Sequence, residues 1–189
     1  MSPLNGNPGL SGPDLPPIPP ETKDWTVVIE DGCGQCGFDP GFDVTTTGER
    51  LRASIPRWER VLARTDVAVR PRAVVWSPLE YACHVRDVCR IFRGRLEMML
   101  REDDPVFPNW DQDEAAVEDA YNAQDPETVG RQFADEAQAT AAAFDAVKSG
   151  EWDRTGRRGD GKDFTISSFA RYFLHDIEHH LKDAEPARR

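Results

Sequence analysis

The chain has 189 residues, a net charge of −11 and a pI near 4.8, with 39% hydrophobic and 30% charged side chains. That balance suits one globular domain able to bury a core without disulfide staples. The acidic surface repels phosphate backbones, which argues against nucleic-acid binding. No run approaches the roughly 18–20 apolar residues of a membrane span, which argues against a membrane role.

Residues 1–23 read as a disordered, proline-rich tail, since seven of the first 20 positions are proline and such a segment can build neither helix nor ladder. It has neither a basic start nor an apolar stretch, so it is not a secretory signal, and a cytoplasmic location is expected. Residues 24–44 form a second unit. DWTVVIED (24–31) is rich in β-branched residues and predicts a short extended segment, ending in the glycine turn GCGQCGFDPG.

The helical unit is expected over 45–184. A first helix starts at Thr46, with Glu49 completing a capping box, and Leu51, Ile55, Trp58 and Leu62 recur at helical spacing. Pro56 should kink or break it. The second helix has the strongest start signal: Ser77 as N-cap, Pro78 at the first position, Glu80 closing the box, and Trp76 and Tyr81 placed for a hydrophobic staple. Its apolar face runs through Tyr81, Val85, Val88, Phe92, Leu96 and Met99, to about Arg101.

From Glu102 to Gly130 there are ten acidic residues and no lysine or arginine. This reads as a solvated loop with a short helix near 113–121; the spacing of a calcium loop is absent. The third helix begins at Asp125-Pro126 and carries Val129, Phe133, Ala137, Ala141 and Phe144. Residues 151–164 predict a loop or short hairpin. The last helix, about 165–182, has Ile166, Phe169, Phe173, Ile177 and Leu181 as its stripe. Four amphipathic helices with so little strand predict an all-α fold, a four-helix bundle.

Three of the four histidines, His175, His179 and His180, lie on the last helix. His175 and His179 are four apart and leave one face, so two imidazoles could meet one ion. His84, the remaining histidine, falls within the apolar face of the second helix and should point into the bundle. Three histidines with an open position suit a catalytic zinc site better than a closed structural one. Asp87 could orient a ligand. Asp176 and His180 share the same spacing and lie nearer the apolar stripe, so His84 with Asp176 and His180 is a competing set. The zinc-protease helix motif needs glutamate after its first histidine; here Asp176 stands there, and a protease reading is weak.

Cys33 and Cys36 form one Cys-x-x-Cys, half of a zinc ribbon whose second half is missing. It reads as a turn that happens to hold thiols, as a redox or second metal pair, or as a segment folded over the histidines with a cysteine near the metal. Cys83 and Cys89 sit on a helix, where small buried thiols are common.

Several segments together resemble the DinB/YfiT-like superfamily: Trp76-Ser77-Pro78-Leu79-Glu80-Tyr81-Ala82-Cys83-His84-Val85-Arg86-Asp87, Pro105–Asp113, Phe164-Thr165 and Arg171–His180. DWTVVIEDGCGQCGFD resembles the opening of an actinobacterial branch, and an arginine excess of 19 over 4 lysines fits a GC-rich genome. The resemblance covers about 24–183. It implies a four-helix bundle with a divalent metal at one end, Zn2+ or alternatively Ni2+, held by residues matching His84, His175 and His179. It further implies a low-molecular-weight thiol, mycothiol in this branch, transferred to an electrophilic small molecule. Alternatives within the same resemblance are a metal-dependent hydrolase or isomerase and a non-catalytic, stress-linked metal-binding protein. Asp87 and Tyr172 are candidates for orienting ligand or substrate. The expected partners are thus a small-molecule thiol and an electrophile, and a homodimer is compatible with the reading.

Overall fold

The start signal of the second predicted helix acts as the sequence predicts. In a computed structural model, which describes residues 18–185, the Ser77 hydroxyl accepts from Glu80 N–H while the Glu80 carboxylate accepts from Ser77 N–H. Trp76 packs on Tyr81 with ring centroids 5.5 Å apart, closing the staple. The elements are α1 (Val28–Asp31), α2 (Thr47–Leu62), α3 (Pro78–Arg101), β1 (Val106–Phe107), α4 (Gln112–Glu118), α5 (Pro126–Asp145), β2 (Thr155–Arg158), β3 (Asp163–Thr165) and α6 (Ile166–Ala184).

The long helices α2, α3, α5 and α6 make the bundle. Both α2 and α3 pack on α5 and on α6, so the two helices consecutive in sequence stand mainly across the bundle from each other. The stripes meet in the middle: Phe92 lies 4.6 Å from Phe169 and 5.3 Å from Phe173, and Trp58 lies 5.9 Å from Phe133. Full burial of each such side chain contributes roughly 1.5–3 kcal/mol.

Four expectations change. The fold is not purely helical, because a three-stranded sheet closes one end: β1 runs parallel to β2, and β2 pairs antiparallel with β3. Residues 24–31 are not extended. Asp24 accepts from Thr26 N–H and starts a 3-10 turn (Trp25–Val27) that leads into α1; the local cap and the burial of Val28 outweigh β-propensity. Pro56 does not break α2; only the N–H toward the Arg52 carbonyl is lost. Thr46 does not close a capping box: its hydroxyl bonds the Asp43 carbonyl, and Asp43 caps the turn leading in. Of the predicted tail, residues 1–17 lie outside the described residues. The acidic connection is partly structured, with β1, α4 and a 3-10 turn at Tyr121–Ala123 that buries Tyr121.

Candidate metal centre

The two histidine spacings on α6 point to two different places. Successive residues on a helix are about 100° apart, so the 175/179 pair and the 176/180 pair occupy adjacent faces. The 176/180 face looks at α3. Asp176 Oδ1 lies 3.2 Å from His84 Nε2 and 3.2 Å from His180 Nε2. The 175/179 face looks at the N-terminal segment, where Trp25 packs on His175 and His179 at 5.2 and 4.8 Å, and Cys33 Sγ lies 3.6 Å from His179 Nδ1.

Two groups of potential ligand atoms follow, each with all its atoms within 4.8 Å of one another: His84 with Asp176 and His180, and Cys33 with Cys36, His175 and His179. The set His84, His175 and His179 is not gathered as one such group among the described residues. The competing set is, because the packing of α6 turns Asp176 and His180 toward α3. The turn carrying the cysteines folds onto the other face, where one cysteine does approach a histidine.

The first group has the chemistry of a metal site. Two imidazoles and a carboxylate are a catalytic-type donor set. Ligands at about 2.0–2.1 Å from one ion, near the tetrahedral angle, stand about 3.2–3.4 Å apart, and the 3.2 Å separations match. His84 Nδ1 and His180 Nδ1 are buried without a hydrogen-bond partner. Burial lowers the pKa of His84 and keeps its ring neutral. Burial opposes ionisation of Asp176, but its contacts with His84 and His180 outweigh it and hold the carboxyl ionised. For His180 burial works downward, but its hydrogen bond to Asp176 and the charge of Asp183, 3.8 Å from Nδ1, prevail and raise it to about 9.

Aromatic rings wall this group. Trp110 stacks on His84 at 5.5 Å with an 11° tilt, and Tyr81 stacks on His180 at 5.0 Å. A cavity of about 320 Å³ opens over α6 between Trp25, Trp76 and Tyr81, reaching Asp176 and His180. A second, also about 320 Å³, lies on the far side between Arg95, Trp110 and Arg158. Tyr172 and Asp176 line both.

The other sequence candidates separate. Asp87 faces away from the ligands: it accepts from Arg86, Arg90 and the Tyr121 hydroxyl, a buried tie between α3 and the connection. Tyr172 does lie at the site, its hydroxyl 3.4 Å from Arg158 Nη1. Cys83 and Cys89 are core residues, and burial pushes Cys83 up to about 12. Sequence reasoning missed Trp25, Trp110, Arg95 and Asp183. Arg95 carried a signal, a charge one turn from Phe92 on an apolar face; so did Asp183, one turn beyond His179.

The family model of the DinB superfamily matches residues 65–184, and the chain belongs to that superfamily. Among solved structures, the bundle is similar to YfiT from Bacillus subtilis, described as a probable metal-dependent hydrolase with an unusual four-helix bundle topology. The TM-score is 0.64 at 14% identity, over 73% of this chain and 79% of that one. No curated protein matches the sequence. Among the described residues no helix is long and apolar enough to cross a membrane.

Proposed function

We propose that the chain is a metal-dependent enzyme that joins a small thiol to an electrophilic small molecule, with His84, Asp176 and His180 holding the ion. The observation that carries this reading is the pair of cavities meeting at Asp176 and Tyr172: a transfer reaction needs room for two reactants on either side of one reacting point. A divalent ion held there would supply a thiolate at neutral pH and polarise the acceptor. The neutral ring of His84 would present a lone pair, His180 would give up its proton on binding the ion, and the ionised Asp176 would offset part of the ion's charge. Trp76, Tyr81 and Trp110 exclude water and hold apolar parts of the reactants. Tyr172, reaching both cavities, positions the acceptor.

Arg95 adds selectivity in the second cavity. It is only 8% exposed; it gives one hydrogen bond to the Pro108 carbonyl and packs on Phe92 and Phe107. No carboxylate among the described residues pairs with it, unlike the buried Arg70 and Arg86. A buried guanidinium of this kind suits an anionic group on the acceptor.

A hydrolase is the second reading, favoured by the two-imidazole, one-carboxylate donor set, which zinc hydrolases also use. The test is conjugation of monobromobimane with mycothiol, bacillithiol and glutathione, in Zn2+- or Ni2+-loaded and chelated protein. Metal-dependent conjugation lost in His84→Ala and Asp176→Asn supports the proposal. Thiol-independent, metal-dependent cleavage of an activated ester moves the assignment to the hydrolase. Full metal content and activity in both variants overturns the ligand set.

A further inference from the structure

The second ligand group has no role in that chemistry. We propose that Cys33, Cys36, His175 and His179 bind a second ion, Zn2+ by their chemistry, in a closed four-ligand site that fastens the N-terminal segment onto α6.

Five observations converge. The ligand atoms of two thiols and two imidazoles lie within 4.8 Å of one another, although Cys33 and His179 are far apart in sequence. Zn–S near 2.3 Å and Zn–N near 2.05 Å at a tetrahedral angle place sulfur and nitrogen about 3.6 Å apart; Cys33 Sγ and His179 Nδ1 are 3.6 Å apart. The turn holds the two cysteines in a fixed backbone. Gly37 takes a φ of +82°, and Cys33 N–H and O bond Phe38 O and Gly37 N–H, closing the turn that carries both cysteines. The far nitrogen of His179 has an outer partner, since Nε2 lies 3.5 Å from Asp183 Oδ2, the arrangement that orients metal-bound imidazoles. His175 Nε2, for its part, is buried without a hydrogen-bond partner.

The site differs from the first in donors and in purpose. Thiolates select Zn2+ over harder ions, whereas the His84 group mixes imidazole with carboxylate. Four protein ligands leave no position for a reactant, so the second ion is structural. Trp25 and Phe38 pack over His175 at 5.2 and 5.5 Å. Binding releases two protons from the two thiols as Zn–S bonds form. The ion also sets one wall of the mouth cavity, which Trp25 lines. The proposal does not depend on which reaction the first group performs.

The test is a Co2+ titration of the metal-free, reduced full chain, with elemental analysis of the Zn2+-loaded protein. The expected result is two equivalents per chain, one of them giving a thiolate-to-cobalt charge-transfer band and the strong visible bands of tetrahedral Co2+. That band persists in His84→Ala and disappears in the double variant Cys33→Ser, Cys36→Ser, which keeps the other equivalent. The wild-type band is read without any variant, so misfolding of the double variant leaves the test intact. A wild-type chain that binds Co2+ without the band overturns the proposal, as does a band that survives in the double variant. Loss of activity in His84→Ala with the band unchanged bears only on the first group.

Discussion

Replacing Asp87 with alanine separates a structural carboxylate from a catalytic one. Asp87 is 2% exposed and accepts from Arg86 Nε and Nη2 at 3.1 and 3.0 Å, from Arg90 Nη2 at 3.1 Å, and from Tyr121 Oη at 2.5 Å. The Arg90 contact lies at an exposed end and contributes less than about 1 kcal/mol. Arg86 is 9% exposed and would lose the only carboxylate paired with it among the described residues, keeping the Gln124 and Gln132 oxygens. Breaking a buried pair from one side costs about 3–5 kcal/mol. The buried Tyr121 hydroxyl would lose its acceptor, about 1–3 kcal/mol more. These terms share one network and do not add fully. The expected loss is therefore about 4 kcal/mol, or roughly 10 °C in Tm for a domain of this size. Urea unfolding should show a lower midpoint at unchanged slope, while both metal equivalents are retained in the folded protein. A loss under about 1 kcal/mol together with lost metal or activity would refute this reasoning and return Asp87 to the site.

Arg95→Met should raise KM for an anionic acceptor by about tenfold or more, the scale of one charge-assisted hydrogen bond, and leave a neutral acceptor unchanged; parallel kinetics on the two acceptors decide this. In the metal-free chain, burial lowers His175 to about 4, with the neighbouring His179 adding to the shift. Folding therefore favours the neutral ring. This stability is fully present above pH ~6.5 and falls by about 3 kcal/mol as the pH drops through about 4, which unfolding at stepped pH, with and without Zn2+, would measure. Gly48→Ala should destabilise by about 1–3 kcal/mol, because a Cβ there lies 2.8 Å from the Ala141 backbone oxygen and 2.1 Å from Asp145 Oδ1 where α2 crosses α5. A Tm within 1–2 °C of wild type in that variant would show that the crossing yields freely.

The helix starts were legible because capping is local. Ser77, Pro78 and Glu80 satisfy the orphan N–H groups of α3 within one turn, and Asp125-Pro126 does the same for α5. The core was legible for a similar reason, since the stripes through Phe92, Phe144 and Phe173 repeat at the helical period and find each other wherever the helices pack. The residue types of both ligand groups could also be read, four histidines, Asp176 and a Cys-x-x-Cys turn.

Their partition could not. A spacing of four puts 175 with 179 and 176 with 180 equally well; Asp176 and His180 lie nearer the apolar stripe, but the stripe does not say which neighbouring helix it meets. The rotation of α6 in the bundle decides that, through the summed packing of Phe169, Phe173 and Ile177 against their neighbours. The meeting of Cys33 with His179, 146 positions apart, rests likewise on Val28 and Phe38 burying against the bundle. By itself the sequence determined which side chains could bind metal; only the tertiary packing decided which of them are gathered together, because a helix offers two adjacent faces at the same spacing and its neighbours choose between them.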